Sequence, residues 1–308
     1  MSEAVPDSEV AVVPPRALDA ANMPNEATPL SVRSFGLTDR GKVRTTNQDQ
    51  FLIAVLRKAF QITLTSLPSR KVQYSGDQCH LFVVADGMGG HAGGEQASAL
   101  AIDSVEAFIL STFKWFTALR SKDEDKLLVD FQSALSQANA RLLAEMTAHP
   151  ELRGMGTTLT LAYSLNDRLF VAHVGDSRGY LLRQDVLHRL TSDHTLVEEM
   201  VRRGMLSAEE ATTHRLRHVI TNVVGGNSAE VKVELHNVQL EAGDVVLLCS
   251  DGLTNMVADD EIAGILQQDR DCERACRQLV ARANAAGGKD NITAVVAQFE
   301  VASSAPGP

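Results

Sequence analysis

A chain of 308 residues with 44% hydrophobic and 22% charged side chains has the make-up of a globular protein that buries a sizeable core. Its formal net charge of -10, with no stripe of Lys and Arg, leaves no electrostatic footprint for nucleic acid. The most apolar stretch, residues 105–119, is short for a bilayer and interrupted by Lys114, so a core helix is expected there and no membrane span.

Residues 1–30 scatter Pro6, Pro14, Pro15, Pro24 and Pro29 among small and acidic residues without periodicity, the pattern of a disordered tail. They lack the basic start and apolar run of a signal peptide. The folded region is expected over residues 31–300, with a short tail at 301–308. Residues 32–37 and 51–55 read as strands on either side of a loop that holds Arg44, 58–78 as a surface insertion, and 81–85 as a third strand. Two long amphipathic helices are predicted over 96–119 and 123–147, where Leu127, Leu128, Phe131, Leu135, Ala138 and Leu142 recur at helical spacing. From residue 157 the pattern turns to short runs (157–163, 169–174, 179–182, 186–190) separated by Asn-Asp and Gln-Asp turns, an antiparallel meander.

Thr195 with Glu198, and Ser207 with Glu210, have capping-box spacing and predict two helix starts inside an excursion over 193–226. Strands at 231–240 and 245–249, a helix over 253–266, helix starts at Asp259 and Asp271, and a last strand at 292–299 complete the pattern. Strands grouped apart from helices favour an α+β class. Cys79, Cys249, Cys272 and Cys276 make no zinc set, so they are expected as buried reduced thiols in a cytoplasmic protein.

The polar residues with the most to say are five aspartates. Asp86, Asp176 and Asp251 follow apolar runs that read as buried strands, Asp290 precedes another, and Asp49 lies before a strand. A carboxylate at the mouth of a buried strand must be solvated, paired or metal-bound. Asp-Gly after a strand is also a hairpin-turn signal. Here Asp86-Gly87 and Asp251-Gly252 are each followed by helical patterns, which a plain hairpin does not explain.

Seven motifs in order then resemble the metal-dependent Ser/Thr protein phosphatases of type 2C, the PPM family, and its bacterial branch most closely. They are Gly41-Lys-Val-Arg44-Thr-Thr-Asn-Gln-Asp49, Phe82-Val-Val-Ala-Asp86-Gly-Met-Gly-Gly-His91, Gly154-Met-Gly-Thr-Thr158, His173-Val-Gly-Asp176-Ser-Arg178, Thr191-Ser-Asp-His194-Thr, Leu248-Cys-Ser-Asp251-Gly-Leu-Thr254 and Gly288-Lys-Asp290-Asn-Ile-Thr293. The resemblance spans about residues 31–300. It implies two face-to-face antiparallel β-sheets flanked by helices, a four-layer α/β/β/α sandwich, with residues 193–226 as a flap.

It also implies hydrolysis of phosphoserine and phosphothreonine in proteins by a metal-activated water, opposing a Ser/Thr protein kinase, by a monomer. The implied cofactors are Mn²⁺ or Mg²⁺, two in the core and a third more weakly held, as suits oxygen-only ligands. In the implied roles Asp86 bridges both core metals, Asp86 and the Gly87 carbonyl hold one, and Asp251 and Asp290 hold the other. Asp49 acts through water, Asp176 with Asp251 forms the third site, and Arg44 binds phosphate with its planar fork. A lone Arg is otherwise a surface salt bridge.

Two departures stand out: Gln48 occupies the place where many members carry Glu, and Met88 follows Asp-Gly where animal and plant members place histidine. His91 is therefore a candidate leaving-group acid or a structural histidine in the Gly-rich turn. His194 is a candidate substrate contact or a satisfied histidine at a helix start. Two other readings remain open: a pseudophosphatase that binds phosphoproteins without turnover, and a phosphatase acting on an anti-sigma-factor antagonist. The complete set of Asp86, Asp251 and Asp290 favours an enzyme.

Overall fold

The computed structural model describes residues 30–61, 72–89, 91–112 and 121–302. The first strands run over Leu30–Asp39 (β1), Asp49–Gln61 (β2) and Val72–Met88 (β3), followed by helices His91–Thr112 (α1) and Ser121–Ala148 (α2). The meander comprises Gly156–Thr157 (β4), Leu159–Leu165 (β5), Arg168–Val174 (β6), Arg178–Arg183 (β7) and Val186–Arg189 (β8). Two short helices, Leu196–Arg202 (α3) and Ala208–Thr213 (α4), form the flap. Strands Val224–Gly225 (β9), Glu234–Gln239 (β10) and Val245–Cys249 (β11) come next. Helices Asp251–Thr254 (α5), Asp259–Gln268 (α6) and Cys272–Ala285 (α7) then lead into Ile292–Val301 (β12).

The strands form two antiparallel sheets. One has the order β1-β12-β11-β7-β8, and the other runs β10-β6-β5-β3-β4-β9 with β2 also on β3. Side chains alternate across a strand, so each sheet buries two faces. On β3, Leu81, Val83 and Ala85 face the core shared with α1 and α2, while Phe82 and Val84 join Val246, Leu248, Val295, Ala297 and Phe299 between the sheets. A third cluster packs α5, α6 and α7, through Leu253, Ile262, Leu279 and Ala283, on the outer face of the second sheet. The result is the expected α/β/β/α sandwich. None of the four cysteines forms a disulfide and all are buried, as read from the sequence.

Several boundaries differ from the sequence reading. Residues 58–61 and 72–78 are not a loose insertion but extend the β2–β3 hairpin, with residues 62–71 outside the described set. Leu30 pairs with Val301 at one end of the β1–β12 ladder, and the remainder of both tails lies outside the described residues except Ala302. The strand expected at 231–240 is ladder-paired only over Glu234–Gln239. The helix expected over 253–266 is two helices, α5 and α6. Ser207 and Glu210 make a full capping box, whereas Thr195 accepts from the Glu198 N–H without the return bond.

Candidate active site

Both sheets deliver an aspartate pair to the same end of the sandwich. Asp49 starts β2 and stands directly opposite Asp86 near the end of β3. Asp251 opens α5 just after β11, Asp290 precedes β12, and Asp176 sits in the turn between β6 and β7, where the chain crosses from one sheet to the other. The Asp49 carboxylate reaches across this seam. Its Oδ2 accepts hydrogen bonds from Ser250 Oγ and Thr293 Oγ1, both at 2.7 Å. Asp86 is held through its backbone: its N–H donates to Thr158 Oγ1, and its carbonyl accepts from Thr157 Oγ1 and the Thr158 N–H, each at 2.9 Å. Close approach demands glycine beside both Asp86 and Asp251. A Cβ on Gly87 would collide with the Gly94 carbonyl oxygen, and one on Gly252 with that of Asn291.

The electrostatics are those of carboxylates gathered without enough counter-charge. Burial pushes Asp49 up to about 7, although the Ser250 and Thr293 hydroxyls oppose the shift. Burial and the charge of Asp251 push Asp176 up to about 8. Burial and Asp290 push Asp251 up to about 6, and Asp86 is raised by withdrawal from water and then by its aspartate neighbours. Asp49 Oδ1, Asp176 Oδ1 and Asp251 Oδ1 are buried without a hydrogen-bond partner. Buried acceptors without donors are costly and rare. Three of them around one carboxylate cluster fit hard divalent cations. No three of the aspartates bring oxygens within 4.8 Å of one another among the described residues. That spacing suits ions that keep several waters rather than a closed protein cage.

A cleft of about 1300 Å³ opens over these groups, lined by Asp86, Gly87, Asp176, Asp251 and Asp290 and continuing beneath the flap. Arg44 lines it too, with Nη2 donating to Asp290 Oδ2 at 2.6 Å. The arginine thus makes the salt bridge that was its alternative reading, and makes it with one of the aspartates of the cleft. Its side chain is 52% exposed, so the pair is weak and its fork is available to an incoming anion. Arg44→Ala should raise KM for a phosphopeptide by roughly tenfold with a smaller change in kcat, because a positioning cation contributes about equally to ground and transition states. Steady-state kinetics on one peptide suffice, and an unchanged KM would leave Arg44 as a surface ion pair.

Residues 71–297 match the family model described as Protein phosphatase 2C. The chain belongs to the protein phosphatase 2C family. It is 34% identical over 261 residues to the serine/threonine phosphatase stp of Listeria innocua, covering 85% of this chain and 93% of that protein. Identity is 36% over 272 residues to the serine/threonine protein phosphatase PstP of Mycobacterium tuberculosis, covering 87% of this chain and 45% of that one. A crystal structure of the PstP catalytic domain in complex with two manganese ions superposes with a TM-score of 0.69 at 33% identity, covering 88% of this chain and 99% of that one. This 2C-family member is a metal-dependent protein Ser/Thr phosphatase with Mn²⁺ or Mg²⁺ as cofactor.

Two histidines of the 2C motifs had two readings each. His91 opens α1, and its side chain lies outside the described residues. His194 does not line the cleft. Its Nδ1 accepts from the Gly175 N–H at 3.1 Å and from Asn222 Nδ2 at 3.0 Å, so its proton sits on Nε2, 3.7 Å from Glu234. Burial lowers its pKa, which keeps that tautomer neutral. The expected substrate contact is instead the satisfied histidine, tying the two ends of the flap to the turn before Asp176.

His173, His194 and Glu234 have atoms close enough for an ion. His173 is already saturated, however, with Nδ1 on Thr160 Oγ1 and Nε2 on the carbonyls of Gly175 and Ser192. Each of the three is tied by hydrogen bonds to other residues of the surrounding segments. Sequence reasoning also missed the Ser250 and Thr293 clamp on Asp49, and the fork of Arg178 on Asp193 at 3.0 and 2.8 Å, which fixes the flap base.

Proposed function

We propose that Asp86, the Gly87 carbonyl, Asp251 and Asp290 hold two core cations, that Asp49 acts on them through water, and that Asp176 with Asp251 holds a third, weaker one. The observation that carries this reading is the set of partnerless buried oxygens on Asp49, Asp176 and Asp251, each at the same end of the two sheets. Cations bound there supply charge neutralisation and a more acidic water for attack on phosphorus. The chain's own residues do the rest. Ser250 and Thr293 occupy Asp49 Oδ2 and leave Oδ1 as the oxygen that serves the site. Gly87 and Gly252 allow backbone to approach where a side chain would intrude. Arg44 turns from Asp290 to the phosphate and orients it, and as the ester bond breaks the serine or threonine oxygen takes up a proton.

The substrates are proteins phosphorylated on serine or threonine, a reading that the similarity to bacterial serine/threonine phosphatases supports, and a Ser/Thr kinase would supply them. Among the described residues no helix is long and apolar enough to cross a membrane. The test is Asp176→Ala, with metal stoichiometry by calorimetry beside turnover of a phosphothreonine peptide. The variant should keep two tightly bound ions and lose most peptide activity. Loss of the tight sites would make Asp176 structural, and full activity would deny the third site a role.

A further inference from the structure

The cleft extends well beyond what a phosphate and its ester carbon need, and its flap side carries a set of aliphatic residues among the polar Glu198, Thr212, Arg217 and His218. Val197 and Val201 of α3, Ala208 and Ala211 of α4, Ile220, and Met256 after α5 line the same cavity as the aspartates. The spacing i, i+4 on α3 and i, i+3 on α4 places each pair on one helix face. Helices of seven and six residues are too short to persist alone and ordinarily depend on burying such a face. Here α3 buries only Val197 and α4 buries nothing. The flap is held by other means: the caps Thr195 and Ser207, the bridge between Thr195 and Ile220, and the His194 anchor. Val201, Ala208 and Ala211 therefore front the cavity rather than the protein's own core, with Val197 buried behind them. A concave apolar wall continuous with a reactive centre is a contact surface for what enters that centre.

We propose that this wall is a subsite for an aliphatic side chain flanking the phosphorylated residue, so that the enzyme favours phosphoserine and phosphothreonine in segments with a nearby Leu, Ile, Val or Met. The inference rests on the phosphatase reading. The occupant is the substrate chain, because a protein-linked phosphate that reaches Asp86 and Asp251 carries its neighbouring residues into the same cavity.

The test is kcat/KM, with Mn²⁺, on phosphothreonine peptides of Gly and Ser that carry a single leucine moved from three positions before to three positions after the phosphothreonine. An aspartate-scanned series runs in parallel, and p-nitrophenyl phosphate serves as the substrate without flanks. Leucine should raise kcat/KM by about tenfold at one or two positions, as partial burial of one aliphatic side chain implies. Aspartate should not. Val201→Asp and Ala211→Glu should erase the leucine preference and leave p-nitrophenyl phosphate turnover within about twofold. Ala211→Leu, which fills the wall without adding charge, should reduce the preference even if the charged variants disturb the flap. A flat leucine scan in the wild type, or a preference intact in all three variants, overturns the subsite. Failure of the wild type to hydrolyse p-nitrophenyl phosphate would instead overturn the phosphatase reading.

Discussion

Replacing Asp251 or Asp290 by alanine should lower turnover of a phosphothreonine peptide at least about a thousandfold at saturating Mn²⁺, since ion clusters of this kind contribute several kcal/mol to the transition state. Both residues sit at element ends, Asp251 at the start of α5 and Asp290 before β12, so neither carries a packing contact of the core. The fold should survive. Asp251 does accept a hydrogen bond from Asn255 Nδ2 at 2.9 Å, and Asp290 holds the Asn291 N–H at 2.9 Å, which sets the local cost at about 1 kcal/mol each. Thermal melts and calorimetric titration with Mn²⁺ separate the two effects. Wild-type rates in either variant, or a collapse of the melting temperature with metal affinity unchanged, would contradict the assignment.

The metal-free protein should become less stable between about pH 5 and about pH 8. In the folded chain Asp251 titrates near 6, Asp49 near 7 and Asp176 near 8, while unfolded aspartate titrates near ~3.9. Across that window the folded state binds more protons than the unfolded state, so unfolding becomes easier as pH rises. The stabilisation is fully present below the unfolded value and is lost as pH passes through the folded ones. Mn²⁺ reverses the trend because it binds ionised carboxylates, so its gain in melting temperature should be larger at about pH 8 than at about pH 5. Melting curves after exhaustive chelation, with and without Mn²⁺, measure this. A metal-free melting temperature that is flat or rising over the window would refute the picture, and Asp49→Asn should shrink the slope.

What the sequence made legible was whatever rests on local pattern. Asp86 and Asp251 stood out because an ionisable residue follows a run of buried apolar ones, and β3, β11 and β12 were readable from the same runs. Ser207 was readable because a capping box is complete within four residues. The clamp on Asp49 was not readable, because Ser250 and Thr293 lie 201 and 244 residues away in sequence and meet it only when both sheets have formed. The two readings of His194 could not be decided for a related reason: its partners, Gly175, Asn222 and Glu234, come from three other segments. The break between α5 and α6 was hidden because Leu253, Val257, Ile262 and Leu266 all pack on one core, so the apolar pattern runs through the interruption.

The pairing of Asp49 with Asp86 across β2 and β3 also makes the ion cluster a proofreader of strand alignment. Asp49 shares its side of β2 with Phe51 and Ile53, which face the space between the sheets, whereas Leu52 and Ala54 face the helices. A slip of one residue would exchange these two sets and turn Asp49 away from Ser250 and Thr293. Either misaligned hairpin would still hydrogen-bond along its length, but it would not present Asp49 and Asp86 together at the seam. Divalent ions therefore reward a single alignment during folding, and their presence while the chain refolds should raise the yield of correctly paired molecules as well as the activity of those already formed.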